Sequence, residues 1–290
     1  MIDLHTHSTM SDGNLSPAEL VHAAHSAGIN TMALTDHDTI DGIPEAESEA
    51  AQIGLGLIPG VEIEINGRCE AEDSRPGSAG REFHLLGLGL KAPSPAFNSL
   101  LAEIKLERKR RNLLIIDKMR AAGFDADYGK LRELSGGSCI GRPHFAQYLV
   151  KIGKVQSIKA AFERFLGKGK PFYIQRAGAD FGRAAAAIHE SGGLAYLAHP
   201  MTLYVSWGRL PVILAELKEQ GLDGIEAWHP IATERACRRL EDLAVALGLR
   251  VTAGSDFHGE KRPDRRLGYT GGGFPIADSF LEKAGLTQYQ

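Results

Sequence analysis

Seven short apolar runs recur along the chain, and most are followed by a longer segment whose apolar residues have helical spacing. The runs are residues 2–4, 31–34, 57–63, 83–90, 194–198, 224–227 and 250–253. Apolar residues at consecutive positions predict strands that are buried on both faces. Alternation of such strands with helices predicts a parallel sheet, and at 290 residues closure into an α/β barrel is the natural solution.

The helical segments carry recognisable start signals. Ser16, Pro17 and Glu19 form a capping box with proline in the first turn, which predicts a helix from residue 17 that ends near Gly28. Similar patterns predict helices over residues 41–53, 180–191, 211–219 and 233–247.

Residues 93–179 interrupt this rhythm. They contain helical stretches at 98–122 and 159–166 but no strand of the series. We therefore predict two domains: a barrel formed by residues 1–92 and 180–290, and a mostly helical insert at 93–179 that contributes to substrate binding.

Composition excludes several classes of protein. Hydrophobic residues make up 43% and charged residues 24%, the formal charge is −3 and the pI is near 6.4, so any site for a polyanion must be local. The cysteines, Cys69, Cys139 and Cys237, are far apart and include no CxxC, which argues against disulfides and cysteine-bound zinc. With no secretory signal and no membrane-spanning stretch in the sequence, we expect a cytoplasmic protein.

Candidate metal ligands follow almost every predicted strand. His5 and His7 are two residues apart at a strand end, so both side chains point to the same side. Because the carboxyl ends of parallel strands share one face, further ligands from other strands should meet them there. The additional candidates are Asp12, His37, Glu62, His84, His199, Asp256 and His258.

Each candidate also has a structural interpretation. His84 alone resembles a hydrogen-bonded core histidine, and Asp36 and Asp38 could cap the helix that starts near residue 41. Glu62 is harder to explain in this way, because an ionised carboxylate in a buried strand needs a cation or a proton. Imidazole and carboxylate without thiolate favour Mn²⁺, Fe or Zn²⁺. The number of ligands predicts two or three divalent ions, with Mn²⁺ as the first choice and Glu62 as a bridge.

The ordered motifs resemble those of the PHP (polymerase and histidinol phosphatase) family: DLHTHS, TDHD, PGVE, a single histidine, AHP and SDFH. This resemblance implies a distorted (β/α)₇ barrel and a trinuclear site. One ion would bind His5, His7, Glu62 and Asp256. The second would bind Glu62, His84 and His199, and the third Asp12, His37 and His258.

Residues 140–144 (IGRPH) and 167–171 (GKGKP) resemble a bacterial branch of the family, the RNase AM and 3′,5′-nucleoside bisphosphate phosphatase branch. The resemblance implies removal of a 3′-phosphate from nucleotides that carry a 5′-phosphate, and trimming of short RNA from its 5′ end. The loop at 66–81 is richer in Gly, Ser and Arg than expected for that branch.

The expected reaction is in-line hydrolysis of a phosphoester without a Ser or Cys nucleophile. His37 or His258 could protonate the leaving oxygen, and the sequence does not separate this role from metal binding. Charge and hydrogen-bonding capacity suggest a second phosphate site at Ser135, Arg142, His144 and Lys170. The alternative is that Arg142 only begins a helix and that the side chain of Lys170 is merely solvated. His229 follows the sixth strand and is a candidate either to support the metal ligands or to contact the substrate.

The basic run at residues 105–111 is interrupted by Glu107 and is typical of a solvated, salt-bridged helix face; an RNA-contacting surface is the alternative. Trp228 and Tyr204 are candidates for stacking on a base, with core packing favoured for both. Rival functions are a histidinol-phosphatase type enzyme, a non-catalytic metal-binding module and an amidohydrolase. The sequence identifies no protein partner.

Overall fold

The computed structural model describes residues 1–66, 83–134, 140–175 and 178–289. Its seven strands form one sheet in sequential order. They are β1 Ile2–Thr6, β2 Thr31–Leu34, β3 Gly56–Glu64, β4 His84–Leu88, β5 Leu194–Leu197, β6 Gly224–Trp228 and β7 Arg250–Ala253. Each lies on one of the seven predicted apolar runs, and almost every residue in them is buried, as consecutive apolar positions require.

Strand β4 runs against the direction of the other six. It pairs antiparallel with β3 and with β5, whereas the remaining neighbours are parallel. The prediction of a parallel sheet is therefore wrong for β4. A parallel pair needs a long crossover, usually a helix, and the sequence between β3 and β4 has the glycine-rich segment 73–81 instead. As a result His84, the first residue of β4, lies opposite Glu64 at the end of β3.

The sheet curls into the predicted distorted barrel. Beyond the end of β7, Phe257 forms a parallel bridge with Thr6 at the end of β1. The His7 amide donates to the Phe257 carbonyl at 3.0 Å, and the Asp256 amide donates to the His5 carbonyl at 2.9 Å. The first and last strands therefore meet at the edge where the predicted metal ligands His5, His7 and Asp256 are found.

Helices cover the outside of the barrel and make up the insert. Those of the barrel are α1 Pro17–Ser26, α2 Ile43–Ile53, α7 Phe181–Glu190, α8 Leu210–Glu219, α9 Glu234–Ala246 and α10 Ser279–Ala284. The predicted capping box of α1 is present: the side chain of Ser16 accepts a hydrogen bond from the Glu19 backbone amide, and the side chain of Glu19 accepts one from the Ser16 backbone amide. The helices between β4 and β5 are α3 Pro95–Ala121, α4 Tyr128–Leu134, α5 Arg142–Lys151 and α6 Ile158–Ala161, followed by a π-helix at Phe162–Leu166.

The long helix α3 belongs to two cores. Its first half contributes Phe97, Leu101 and Ile104 to the barrel core, whereas Ile115 and Met119 in its second half pack in a separate core of the insert. The helix thereby fixes the insert on the barrel. None of the described helices is both long enough and apolar enough to cross a membrane.

The basic run on α3 is only partly the solvated face expected from the sequence: Lys105, Lys109 and Arg110 are exposed, and Arg110 pairs with Glu107, but two arginines are buried. Arg108 and Arg111 are only 7% and 5% exposed and point towards the barrel. Arg108 forms a buried ion pair with Asp38, in the loop after β2, and Lys105 pairs with Asp41 in the same loop at 2.8 Å. Helix periodicity does not reveal that Asp38, a buried carboxylate in a distant loop, pairs with Arg108 and keeps it out of solvent.

Candidate metal centre and adjoining pocket

The centre begins at the end of β1, where strand geometry places His5 and His7 on one side. Their Nε2 atoms lie 3.0 Å apart. Burial lowers the pKa of both rings, but the neighbouring carboxylates outweigh burial and raise the pKa of His7 to about 9 and that of His5 well above its ordinary value. Two protonated rings would direct N–H groups at each other across this short distance. If both rings are neutral and their Nε2 lone pairs point at one cation, the two N–H groups no longer face each other. The geometry of the pair therefore fits a metal ion.

Glu62, in β3, is the point on which the cluster converges. Its Oε1 lies 2.9 Å from His84 Nδ1 and from His199 Nε2. Its Oε2 accepts no regular hydrogen bond, yet His37 Nδ1, His7 Nε2 and His5 Nε2 lie at 2.9, 3.3 and 3.4 Å. Burial raises the pKa of Glu62, but the surrounding imidazoles hold it well below its ordinary value. The carboxylate is therefore ionised and surrounded by imidazole nitrogens, a set of donors that fits one or more metal ions.

Asp12, His37 and His258 form a second group at the open side. His258 Nε2 lies 3.1 Å from Asp12 Oδ1, and His37 Nε2 lies 3.8 Å from the same oxygen. His7 stacks on His258 with ring centroids 4.2 Å apart and completes this group.

The described residues contain three sets whose ligand atoms lie close enough to hold an ion. These sets are His7, Asp12, His37 and His258; His5, His7, Glu62 and Asp256; and His37, Glu62 and His84. His199 adjoins the third through His84, at 3.3 Å. The structure thus brings all nine predicted ligands together, with His7 and His37 each in two sets, a sharing that the family resemblance did not predict.

Backbone strain is concentrated around these ligands. Asp38, His199 and Asp256 have φ values of 55°, 28° and 53°, a region that residues other than glycine adopt infrequently. A close approach also requires a glycine, because a Cβ at Gly254 would lie 2.3 Å from the Cβ of His5. The surrounding fold therefore imposes the positions of the ligands.

Two buried carboxylates support the candidate ligands from behind; the sequence pattern did not single out Glu226, and it indicated only a possible helix cap for Asp36. Glu226 accepts from His5 Nδ1 at 2.9 Å and from the His199 amide at 2.8 Å. It was missed because it is one acidic residue within the apolar run of β6; a buried carboxylate in a strand, the signal used for Glu62, would have found it. Asp36 accepts from Ser8 and Ser11, and therefore shapes the first loop.

A cavity of about 300 Å³ opens beside the cluster, between the barrel and the insert. Its barrel side contains His37, Glu62, His84 and His258, and its other side contains Arg108, Arg111 and Arg142. The residues from the insert that line it further are Gly141, Pro143, Gln147, Ile158 and Phe162. Carboxylates and imidazoles therefore face guanidinium groups across one cavity, an arrangement suited to a multiply charged anion bound to cations.

The predicted substrate residues have different surroundings. Arg142 lines the cavity, with its guanidinium 5.9 Å from the Tyr173 ring centroid. His144 is buried, and its Nδ1 accepts from the Gly141 amide at 2.9 Å. Lys170 is exposed and is not among the residues that line the cavity. His229 is buried behind the centre, 3.3 Å from Asp256 Oδ2, and Ser135 and the loop at 67–82 lie outside the described residues.

Known proteins resemble this chain along most of its length. A 5′-3′ exoribonuclease from Haemophilus influenzae is 40% identical over 256 residues, which cover 88% of this chain and 89% of that protein. A 3′,5′-nucleoside bisphosphate phosphatase from Chromobacterium violaceum is 31% identical over 93% of this chain and 91% of its own length.

Two solved structures have the same fold. One, described as an amidohydrolase from Chromobacterium violaceum with bound sulfate and no metal, matches with a TM-score of 0.83 at 29% identity, covering 98% of this chain and 96% of that one. Another, provisionally described as a metal-dependent phosphoesterase from Bifidobacterium adolescentis, matches with a TM-score of 0.81 at 28% identity, covering 98% and 94%.

The sequence itself matches the model of the PHP domain over residues 3–166, more than half of the chain. This range begins at β1 and includes the ligands from His5 to His84. The motifs, the barrel and the relatives agree, and the chain belongs to the PHP domain family.

Proposed function

We propose that this protein is a metal-dependent phosphoesterase that removes the 3′-phosphate of nucleoside 3′,5′-bisphosphates to give 5′-nucleotides. Trimming of short RNA from its 5′ end would be a related activity. The observation that carries the proposal is the convergence of nine imidazole and carboxylate side chains on a cavity whose opposite wall contains arginines. The names of the relatives from Haemophilus influenzae and Chromobacterium violaceum support the substrate class.

The nine clustered side chains would bind two or three divalent ions, with Glu62 as the shared ligand. Imidazole and carboxylate together suit Mn²⁺, with Fe or Zn²⁺ as alternatives. When bound, such ions supply the positive charge that phosphoryl oxygens require during hydrolysis. The widely spaced cysteines favour a reducing compartment, and we propose that the enzyme acts in the cytoplasm.

The protein itself would position the substrate and move a proton. Arg142, at the start of α5, would hold the phosphate that is not hydrolysed, because a guanidinium fork matches phosphate oxygens. His144 would support that site indirectly, by fixing the turn at Gly141. His37 and His258 line the cavity, and one of them would donate a proton to the leaving oxygen in addition to its role in metal binding.

Two features distinguish this function from the rivals. A deamidating or amide-cleaving enzyme shares the barrel, as the solved relative described as an amidohydrolase illustrates, but neutral amides do not need the arginines of the insert. A small-molecule phosphatase needs only one phosphate site, whereas the cavity extends from the metal centre to Arg142.

The Mn²⁺-loaded protein should release one equivalent of phosphate from adenosine 3′,5′-bisphosphate and then stop at AMP. The reason is that only the 3′-phosphate reaches the cluster while the 5′-phosphate is held by the insert. Phosphate assay with chromatography of the products measures this, with AMP and adenosine 3′-phosphate as control substrates. No release from the bisphosphate, or equal consumption of AMP, would reject the substrate assignment.

Arg142→Ala should raise KM for adenosine 3′,5′-bisphosphate about tenfold or more, the size expected for losing a hydrogen bond to a charged group. KM for p-nitrophenyl phosphate should change little, because that substrate has no second phosphate. Steady-state kinetics on both substrates measure the difference. Lys159→Ala, on an exposed position of the same insert, is the matched control. Equal effects of Arg142→Ala on the two substrates would contradict the second-phosphate site.

Glu226→Gln should weaken Mn²⁺ binding by roughly ten- to a hundredfold, as is usual when the partner of a metal-binding histidine is changed. His5 Nδ1 and the His199 amide bond to different oxygens of Glu226, and glutamine replaces one of these oxygens with an NH₂ group that cannot accept a hydrogen bond. Calorimetric titration of the metal-free protein measures the affinity. Glu216→Gln, on the exposed face of α8, is the control. Unchanged affinity in Glu226→Gln would show that Glu226 does not orient a metal ligand.

A further inference from the structure

The insert side of the cavity contains apolar side chains that phosphate chemistry does not use. Ile158 and Phe162 line the same cavity as the residues of the metal centre; Ile158 is 41% exposed, and Phe162 is partly exposed with part of its ring packed against the core of the insert. The neighbouring aromatic rings of the insert, Phe124, Phe165 and Phe172, pack against one another. Among the described residues Phe162 stacks on none of them. The two side chains together offer a partly exposed apolar surface inside a charged cavity, and a flat apolar ligand would be stabilised by covering it.

The backbone places Phe162 at an unusual point of the chain. Phe162 begins the π-helix Phe162–Leu166, a rare conformation that is frequent at functional sites. Gly167 ends it by donating to the Phe162 carbonyl at 2.8 Å, and a Cβ at Gly167 would lie only 2.7 Å from that oxygen. The first glycine of the GKGKP motif is thus explained by the π-helix. Ile158 precedes Phe162 by four residues, so the two side chains lie on one face, about 6 Å apart along the axis.

Gln147 adds a polar group to this apolar wall. It lies on α5, about 7.5 Å along the helix axis from Arg142, and lines the cavity. Within the part of the chain that the structure describes, its side-chain amide forms no hydrogen bond. An amide offers two donors and one acceptor, which can pair with the edge of a heterocycle.

We propose that Gln147, Ile158 and Phe162 bind the heterocyclic base of a nucleotide. The ring lies against Phe162 and Ile158, and its edge faces Gln147. A base is flat and apolar on its faces and polar at its edge, which matches the two kinds of side chain present. The inference rests on the proposed function, because it places the base in the cavity in which Arg142 holds a phosphate. Trp228 does not serve this purpose, since it is buried and its Nε1 donates to Glu241 at 2.6 Å.

Calorimetric titration of the Mn²⁺-loaded protein with AMP and with ribose 5-phosphate tests the site without depending on turnover. Both ligands carry the phosphate, and only AMP carries a base. AMP should bind about tenfold more tightly or better, within the range for stacking of a base on an aromatic side chain. Phe162→Ala should reduce this preference to about twofold and leave ribose 5-phosphate unchanged, whereas Phe162→Tyr should retain it.

Ile158→Ala provides a second variant at a partly exposed position, where the substitution is tolerated, and should weaken AMP binding several-fold. Leu114→Ala, 52% exposed on the outer face of α3, is the control and should bind both ligands like the parent. Equal affinity of the parent protein for the two ligands would overturn the base site. Equal weakening of both ligands in Phe162→Ala would overturn it too.

The test of the base site by titration is independent of the test of the proposed function by phosphate release. A preference for AMP combined with no phosphate release from adenosine 3′,5′-bisphosphate would keep the base site and reject the proposed function. Phosphate release without a preference for AMP would keep the proposed function and reject the base site.

Discussion

The arrangement of the site depends on one buried charge, the carboxylate of Glu62 at the end of β3. Removing an ionised carboxylate from water is costly, and it is tolerated only where positive charge or hydrogen bonds replace the lost solvent. Five imidazoles surround Glu62, from His5, His7, His37, His84 and His199. They come from β1, the loop after β2, β4 and the end of β5, so the charge of one residue determines where four parts of the chain must meet.

The reversed direction of β4 is part of this solution. In a parallel strand His84 would lie at the far edge of the barrel, whereas the antiparallel pairing places it opposite Glu64 and beside Glu62. The fourth strand therefore contributes a candidate ligand with its first residue, whereas Glu62 lies near the carboxyl end of β3 and His199 follows the carboxyl end of β5.

The insert is joined to the metal centre through α3. Arg108 pairs with Asp38, which directly follows His37, and the Asp38 amide donates to the Glu62 carbonyl at 2.9 Å. The same helix brings Arg111 to the cavity and carries Ile115 into the core of the insert. The wall that would bind the rest of a substrate is thus held in register with the ligands that would bind the reacting phosphate.

Much of the fold and of the cluster was predictable, because buried strands and residue types that bind metals can both be recognised from short stretches of sequence. Each of the seven strands coincides with an apolar run, and His5, Glu62 and Asp256 were identified because polar residues stand at strand ends where apolar ones are expected. The direction of β4 was not predictable from apolarity, which is the same for either orientation. The burial of Arg108 depends on Asp38, seventy residues away, and helix periodicity contains no information about such a partner. Likewise, no local pattern announced the π-helix at Phe162.

The central claim is that Glu62 is surrounded by ligands because it binds metal ions, and anomalous diffraction from crystals grown with Mn²⁺ tests it most directly. We expect anomalous peaks within about 2.0–2.3 Å of the carboxylate oxygens of Glu62 and of the imidazole nitrogens of His5 and His7. An ordered site without anomalous density, in which Glu62 accepts hydrogen bonds from protonated histidines instead, would contradict it.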